Sequence, residues 1–550
     1  MPWRGNGTCR RPRLDHPPGA SCLASVLLLG AAPPASEEAA ARRVRAHVEF
    51  LASDLLEGRD TGSKGLEIGA SYVGSEFRAL GLEPGGKNGS WFLQVPFRRA
   101  SQYGQPTITY LLNGRPVPLQ LGRDANVRPS LTEKNRSGEA GLVFVGHGLS
   151  DPASGIDDYA GLDVRGKIVV ALEGAPEGLA TEVAAHLDDE KIETAGRKGA
   201  VGYIEMPTSG RSGQVGRQGR PIVDWMGPDG RAGATRDRPR FTIGLSDEWQ
   251  SKLFAGAKRP LAAIQQDARR GRRVAGFPLA GSFRLTAQSS WQDFTSPQTI
   301  GLLRGSDPAL ASEYVVMMGH LDHLGISGDA RPGEDAIYNG ALDNAAGVAT
   351  VIEAARTFIE SGKRPRRSVI FMANTGEERG LLGADYFANY PTVPIRQIVS
   401  VVDLDMPLLL YDFTDVVAFG ADHSTVAKAV AEAGRSMGIA VSPDPMPEQA
   451  LFVRSDHYRF VLRGIPGILL MTGYANGGKE SWGRFWATVY HKPNDDLSLP
   501  INWRAGARYA ELNYRIARTL ADADQRPLWY RGDYFADRFA PGQPRTERRP

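Results

Sequence analysis

The sequence predicts an α/β fold: a mixed, mostly parallel central sheet with helices on both faces, interrupted by an inserted β-rich body. Three observations carry this. After about residue 295, apolar runs at Tyr314–Met318, Ser368–Ala373, Ile398–Leu404 and Ile468–Met471 alternate with stretches of helical periodicity. Those runs are apolar throughout instead of alternating with polar residues, as strands covered on both faces must be. Between about 138 and 285 the texture changes to short β-branched runs separated by glycine-rich and charged loops.

The elements follow in chain order. Four arginines (Arg4, Arg10, Arg11, Arg13) precede an apolar or small stretch, Ala20–Ala32, too short to span a bilayer and followed by Pro33, Pro34, Ala35 and Ser36. That order reads as a secretory signal peptide over residues 1–35, so export to the periplasm or beyond the cell is expected. Residues 36–137 form the first segment of the main domain, with two helical stretches between Val44 and Leu80 joined by the Gly58, Gly62, Gly65 loop; Ala70, Val73, Phe77 and Leu80 recur at three- and four-residue steps. Residues 138–285 form the insert, with strands expected near Gly141–Val145, Lys167–Leu172 and Val201–Glu205 and an exposed loop over 209–240. Residues 286–525 form the second segment, whose clearest helix carries Val348, Val351, Ile352, Ala355 and Phe358. The tail, 526–550, is rich in Pro, Arg and Gly and is expected to fray after Asp537.

Composition narrows the function. A chain of 550 residues with 41% hydrophobic and 23% charged residues can bury a large core, which excludes disorder, collagen and a coiled-coil rod. Lys plus Arg number 65 against 62 Asp plus Glu, and the chain without residues 1–35 is formally neutral, so no basic surplus points to nucleic acid. Past residue 35 no segment is long and apolar enough for a membrane span. Both cysteines, Cys9 and Cys22, precede residue 23, which leaves the rest without disulfides, zinc-thiolate sites or cysteine nucleophiles. Any metal must be held by His and carboxylate.

Chemistry-bearing motifs follow the strands. His320, Asp322 and His323 follow the first run, and Asn339–Gly347, containing Asp343, opens the next helix. Glu377 and Glu378 follow the second run, Asp403 and Asp405 close the third, and His491 lies in a late loop with Asp495 and Asp496. In open α/β sheets, ligands gather at the carboxyl ends of the strands, so these distant residues converge. Two His and several carboxylates suit a pair of divalent metals, zinc foremost. Adjacent glutamates point in different directions, so one can bind metal while the other faces the attacking water.

With these motifs the chain resembles the co-catalytic di-zinc aminopeptidases, the bacterial leucyl aminopeptidase and aminopeptidase S type, with glutamate carboxypeptidase and glutaminyl cyclase as relatives. The resemblance covers about residues 40–525. It implies a zinc exopeptidase fold and two Zn2+ per chain, with His320 and Asp405 on one, Glu378 and His491 on the other, and Asp343 bridging. It further implies that Asp322 orients His320, that Glu377 is the general base, that His323 is a polar neighbour and that the Asp343–Asn344 bond is cis. The Ser455, Asp456, His457 motif matches one near the substrate pocket, for substrate or supporting contacts. Asp403 stands where the family usually has Asn and is a candidate acceptor for a substrate ammonium. Phe452 stands where some members have a Tyr that polarises the scissile carbonyl. The insert resembles a protease-associated domain over Asp157–Val170 and Ala195–Tyr203, which implies a lid or a packing module.

The reading is therefore an exported zinc aminopeptidase acting on peptides. A carboxypeptidase, a glutaminyl cyclase of the same fold, and an inactive receptor-like binding protein are the alternatives. Terminal-residue preference and oligomeric state are not encoded in any motif recognised in the sequence.

Overall fold

A computed structural model describes residues 34–208 and 219–548. The leader expected over residues 1–35 lies almost wholly outside the described residues, as do both cysteines.

The four apolar runs are strands: Tyr314–His320, Ser368–Asn374, Ile398–Asp403 and Gly467–Thr472, buried at every position. They lie side by side in the order 467–472, 398–403, 314–320, 368–374, all parallel. Strand Asp415–Phe419 flanks one side antiparallel, and the end of the long strand Phe277–Leu303 flanks the other. Helices cover the sheet. Helix Ala346–Glu360 buries Val348, Val351, Ile352, Ala355 and Phe358, and helix Trp503–Asp522 buries Tyr509, Leu512, Ile516 and Leu520 in the same core. The mixed, mostly parallel α/β sheet is the fold class that the periodicity predicts.

Two long antiparallel strands, Phe92–Leu112 and Phe277–Leu303, form a ribbon that joins this domain to the insert. In the insert, strands Asn135–Phe144, Ile168–Leu172, Gly202–Met206 and Phe241–Leu245 lie side by side and parallel to one another, and helix Thr181–Arg197 leaves the second to reach the third. Its core includes Ile108, Tyr110, Ala125 and Val127. The insert therefore takes in chain from about residue 107, ahead of the boundary at 138 that the sequence texture suggests. The reason is that residues 107–112 and 125–127 pair and pack with its strands.

Two further expectations are corrected. Within 209–240, residues 222–238 are not a free loop: Ile222–Trp225 is a strand paired with Arg98 and its neighbours. Trp225 is buried against Tyr386 and Tyr390 and donates through Nε1 to Asp385 at 2.7 Å. The tail does not fray at Asp537: helix Tyr534–Phe539 and the strand pair Trp529–Tyr530 with Arg545–Thr546 are packed, with Trp529 and Phe535 buried. Aromatic anchors outweigh the Pro, Gly and Arg content there.

Candidate metal centre

The strand ends deliver the side chains. His320 is the last residue of its strand, Glu377 and Glu378 follow Ser368–Asn374, and Asp405 lies two residues past Ile398–Asp403. Asp343 sits in the turn that opens helix Ala346–Glu360, and its bond to Asn344 is cis. Gly347 must be glycine, because a Cβ there would lie 2.1 Å from both Asn344 Oδ1 and the Leu404 carbonyl. That close approach ties the Asp343 turn to the Asp405 loop, since Asn344 Oδ1 accepts from the Gly347 and Met406 amides.

Two triplets share Asp343. His320 Nε2 lies 3.2 Å from Asp343 Oδ1 and 3.1 Å from Asp405 Oδ1. His491 Nε2 lies 3.3 Å from Asp343 Oδ2 and 3.3 Å from Glu378 Oε2. A tetrahedral zinc with bonds of about 2.0 Å sets its ligand atoms about 3.3 Å apart, so the imidazole-to-carboxylate distances in both triplets match that spacing. Among the described residues, the groups whose ligand atoms all lie within 4.8 Å of one another are His320, Asp343 and Asp405, and His323, Asp343 and Glu378. His323 Nδ1, by contrast, sits 2.6 Å from Glu378 Oε1, a hydrogen-bond distance, and 4.0 Å from Asp343 Oδ2.

The charge balance also fits a cation. Burial and the nearby Asp405 and Glu378 charges push the Glu377 carboxyl well up, against the pull of His320. Burial and Asp343 raise Glu378 to about 8. Burial opposes the His320 cation, but Asp405 and Glu377 outweigh it and raise that imidazole. Burial lowers His323 to about 4. Carboxylates crowded this way in a buried site are the surroundings a divalent ion neutralises.

Supporting contacts fix the geometry. The Asp322 carbonyl accepts from His320 Nδ1 at 2.9 Å, which leaves the Nε2 lone pair facing the carboxylates. The Asp322 carboxylate itself does not orient His320 by hydrogen bonding; it accepts from Thr61 Oγ1 and from the Glu377 and Glu378 amides. It therefore sets the glutamate turn. Asp495 accepts from the Leu342 and Asp343 amides, both at 2.9 Å. Arg59, fully buried, donates to the carbonyls of Leu51, Leu321, Asn339 and Gly340 and so clamps the His320 and Asp343 segments together. Neither Arg59 nor Asp495 emerges as a site residue from the motifs; a charged residue inside a glycine loop and an Asp four positions after His491 were the available signals.

The remaining candidates divide. Ser455 Oγ lies 2.8 Å from both Asp403 Oδ2 and Asp405 Oδ2, and its single proton serves one at a time. Asp403 also accepts from the His457 amide and does not line the cleft, so it is unsuited to meet a substrate ammonium. Asp456, bonded to Asn374, and His457 are fully buried supports, not surfaces for substrate. Phe452 is buried against His423. A cleft of about 800 Å³ opens over Asp343, Glu377, Glu378, Asp405 and His491, walled on one side by insert residues from Thr181–Arg197 and 223–238. Among the described residues, no hydrogen bond or ion pair engages the Glu377 carboxylate, although it lines this cleft.

Fold and site together define an α/β protein whose strand ends gather buried His and carboxylate side chains closely enough to hold a metal ion. Residues 298–517 match the model of Peptidase family M28. Among curated relatives, a probable glutamate carboxypeptidase of Arabidopsis thaliana is 25% identical over 344 residues, 57% of this chain and 44% of that one. A probable zinc metalloprotease of Pyrenophora tritici-repentis is 32% identical over 112 residues, 20% of this chain and 23% of that one. The chain thus spans less than half the length of these curated relatives. Among solved structures, an aminopeptidase from Aneurinibacillus sp. strain AM-1 is 19% identical with a TM-score of 0.49, over 88% of this chain and 95% of that one. No helix among the described residues is long and apolar enough to cross a membrane.

Proposed function

We propose that this protein is an exported two-zinc exopeptidase that removes residues from the free N-terminus of peptides. The observation that carries the reading is the pair of triplets sharing Asp343, each with its imidazole at ligand spacing from two carboxylates. His320 and Asp405 would hold one zinc and His491 and Glu378 the other, with Asp343, whose two oxygens face the two imidazoles, available to both. Zinc held there lowers the pKa of water and polarises the scissile carbonyl. Glu377 takes the proton from the attacking water and returns it to the departing amine; its carboxylate lines the cleft, engaged by no protein partner. Ser455 holds Asp405 from behind, and the insert, read as a protease-associated domain, supplies a wall of the cleft. Export rests on the Arg-flanked apolar leader.

The N-terminal preference rests on the motifs, which resemble those of aminopeptidases. One observation favours a carboxypeptidase as the second reading: Arg454, Arg459 and Arg463 line the same cleft, and among the described residues none of them has a carboxylate within salt-bridge distance. Metal analysis alongside cleavage of free, N-acetylated and C-amidated peptides decides. Two zinc ions per chain and loss of cleavage on N-acetylation support the aminopeptidase. Cleavage that survives N-acetylation and fails on C-amidation replaces it with the carboxypeptidase.

A further inference from the structure

The insert reaches into the support of the metal centre at one point. His186, on helix Thr181–Arg197, is 1% exposed, and its Nδ1 lies 2.5 Å from Tyr458 Oη. Tyr458 directly follows the Ser455–His457 turn. From that turn Ser455 Oγ and the His457 amide reach Asp403, and Ser455 also reaches Asp405. The C-terminal segment closes around the same imidazole: Tyr534, Phe535 and Phe539 set their rings edge-on to it. Arg538 pairs with Glu190, one helical turn beyond His186, at 2.5 Å. Burial lowers His186 to about 3 and raises the Tyr458 phenol, so both are neutral and the phenol donates to Nδ1. An unmade bond at either partner would strand a buried polar atom, which gives the contact a defined geometry.

We propose that His186 of the insert is a positioning residue for the metal centre, acting through Tyr458 on the turn that holds Asp403 and Asp405. The proposal rests on the two-zinc peptidase reading. On it, the insert is part of the catalytic support and not only a wall.

The test uses the full chain loaded with Co(II), comparing Tyr458→Phe, His186→Ala, His186→Gln and the Tyr458→Phe/His186→Ala double variant. Each of Tyr458→Phe and His186→Ala lowers kcat about 3- to 10-fold with KM nearly unchanged, and the visible Co(II) spectrum departs from wild type. The double variant loses no more than the worse single one, and His186→Gln, whose carbonyl oxygen still accepts from the phenol, recovers most of the loss. Tyr458→Phe keeps the ring and so decides even where His186→Ala fails to fold. Wild-type kcat and spectrum in Tyr458→Phe, or losses that multiply in the double variant, overturn the coupling alone. A wild-type chain that neither takes up Co(II) nor cleaves overturns the peptidase reading with it.

Discussion

Replacing Asp495 tests whether the metal centre depends on a residue that binds no metal. Its two carboxylate oxygens each accept one backbone amide, from Leu342 and from Asp343, at 2.9 Å, and the residue is fully buried. Asp495→Asn keeps one acceptor and turns an NH2 group toward the other amide, so one buried N–H loses its partner, at a cost of about 1–3 kcal/mol. Asp495→Ala strands both amides, for about 2–6 kcal/mol against a typical total stability of about 5–15 kcal/mol. Because Asp343 faces both imidazoles, displacement of its backbone weakens both triplets at once. Urea unfolding measures the stability, and competition for Zn(II) with a graded series of chelators measures metal retention. Asp495→Asn should unfold at lower urea and release zinc to weaker chelators than wild type. A variant within about 0.5 kcal/mol of wild type with unchanged retention would refute the claim that Asp495 sets the Asp343 backbone.

Glu377→Gln is expected to keep its metal and lose about 10²- to 10⁴-fold in kcat, whereas Glu378→Gln releases zinc more readily; equal metal loss in both, read by elemental analysis, would contradict the division of roles. His423 bridges the C-terminal segment and the insert, with Nδ1 2.5 Å from Asp533 and Nε2 3.0 Å from Glu182. Burial opposes its charge, but the two carboxylates outweigh burial and raise it to about 9. The folded state thus binds this proton more tightly than the unfolded chain, in which the pKa is about 6.5. The stabilisation, about 3 kcal/mol, is complete below pH ~6.5 and lost as pH rises through ~9. Urea midpoints of wild type and His423→Gln should therefore converge on the alkaline side, and a constant gap from pH 6 to 10 would count against the bridge.

Much of the fold was legible because the four central strands are buried on both faces and so carry unbroken apolar runs, each ending in a polar motif. The convergence of His320, Asp343, Glu378, Asp405 and His491 follows from that topology. The ribbon strands hid the true start of the insert: in Phe92–Leu112 buried and exposed positions interleave, and nothing in the sequence marks where one core gives way to the next. Strand Ile222–Trp225 was masked by the Gly- and Arg-rich sequence around it, although Trp225 was the clue that something there is buried. The support given by Asp322 was misread for a different reason. Residue type shows that a carboxylate is present, and only coordinates show that the backbone carbonyl serves His320 while the side chain holds the glutamate turn.

That arrangement explains how two identical neighbours acquire opposite tasks. Asp322 fixes the amides of both Glu377 and Glu378, so the two side chains leave a rigid turn in different directions. Glu378 points inward, where Oε1 meets His323 and Oε2 meets His491, and both its oxygens are engaged. Glu377 points into the cleft with no protein partner for its carboxylate among the described residues. A ligand must be held and a base must be free to exchange a proton, so the same side chain suits each role only because the turn beneath it does not move. Loosening that turn, for instance through Thr61 or Asp322, would blur the two roles together, with metal retention and proton transfer declining in step.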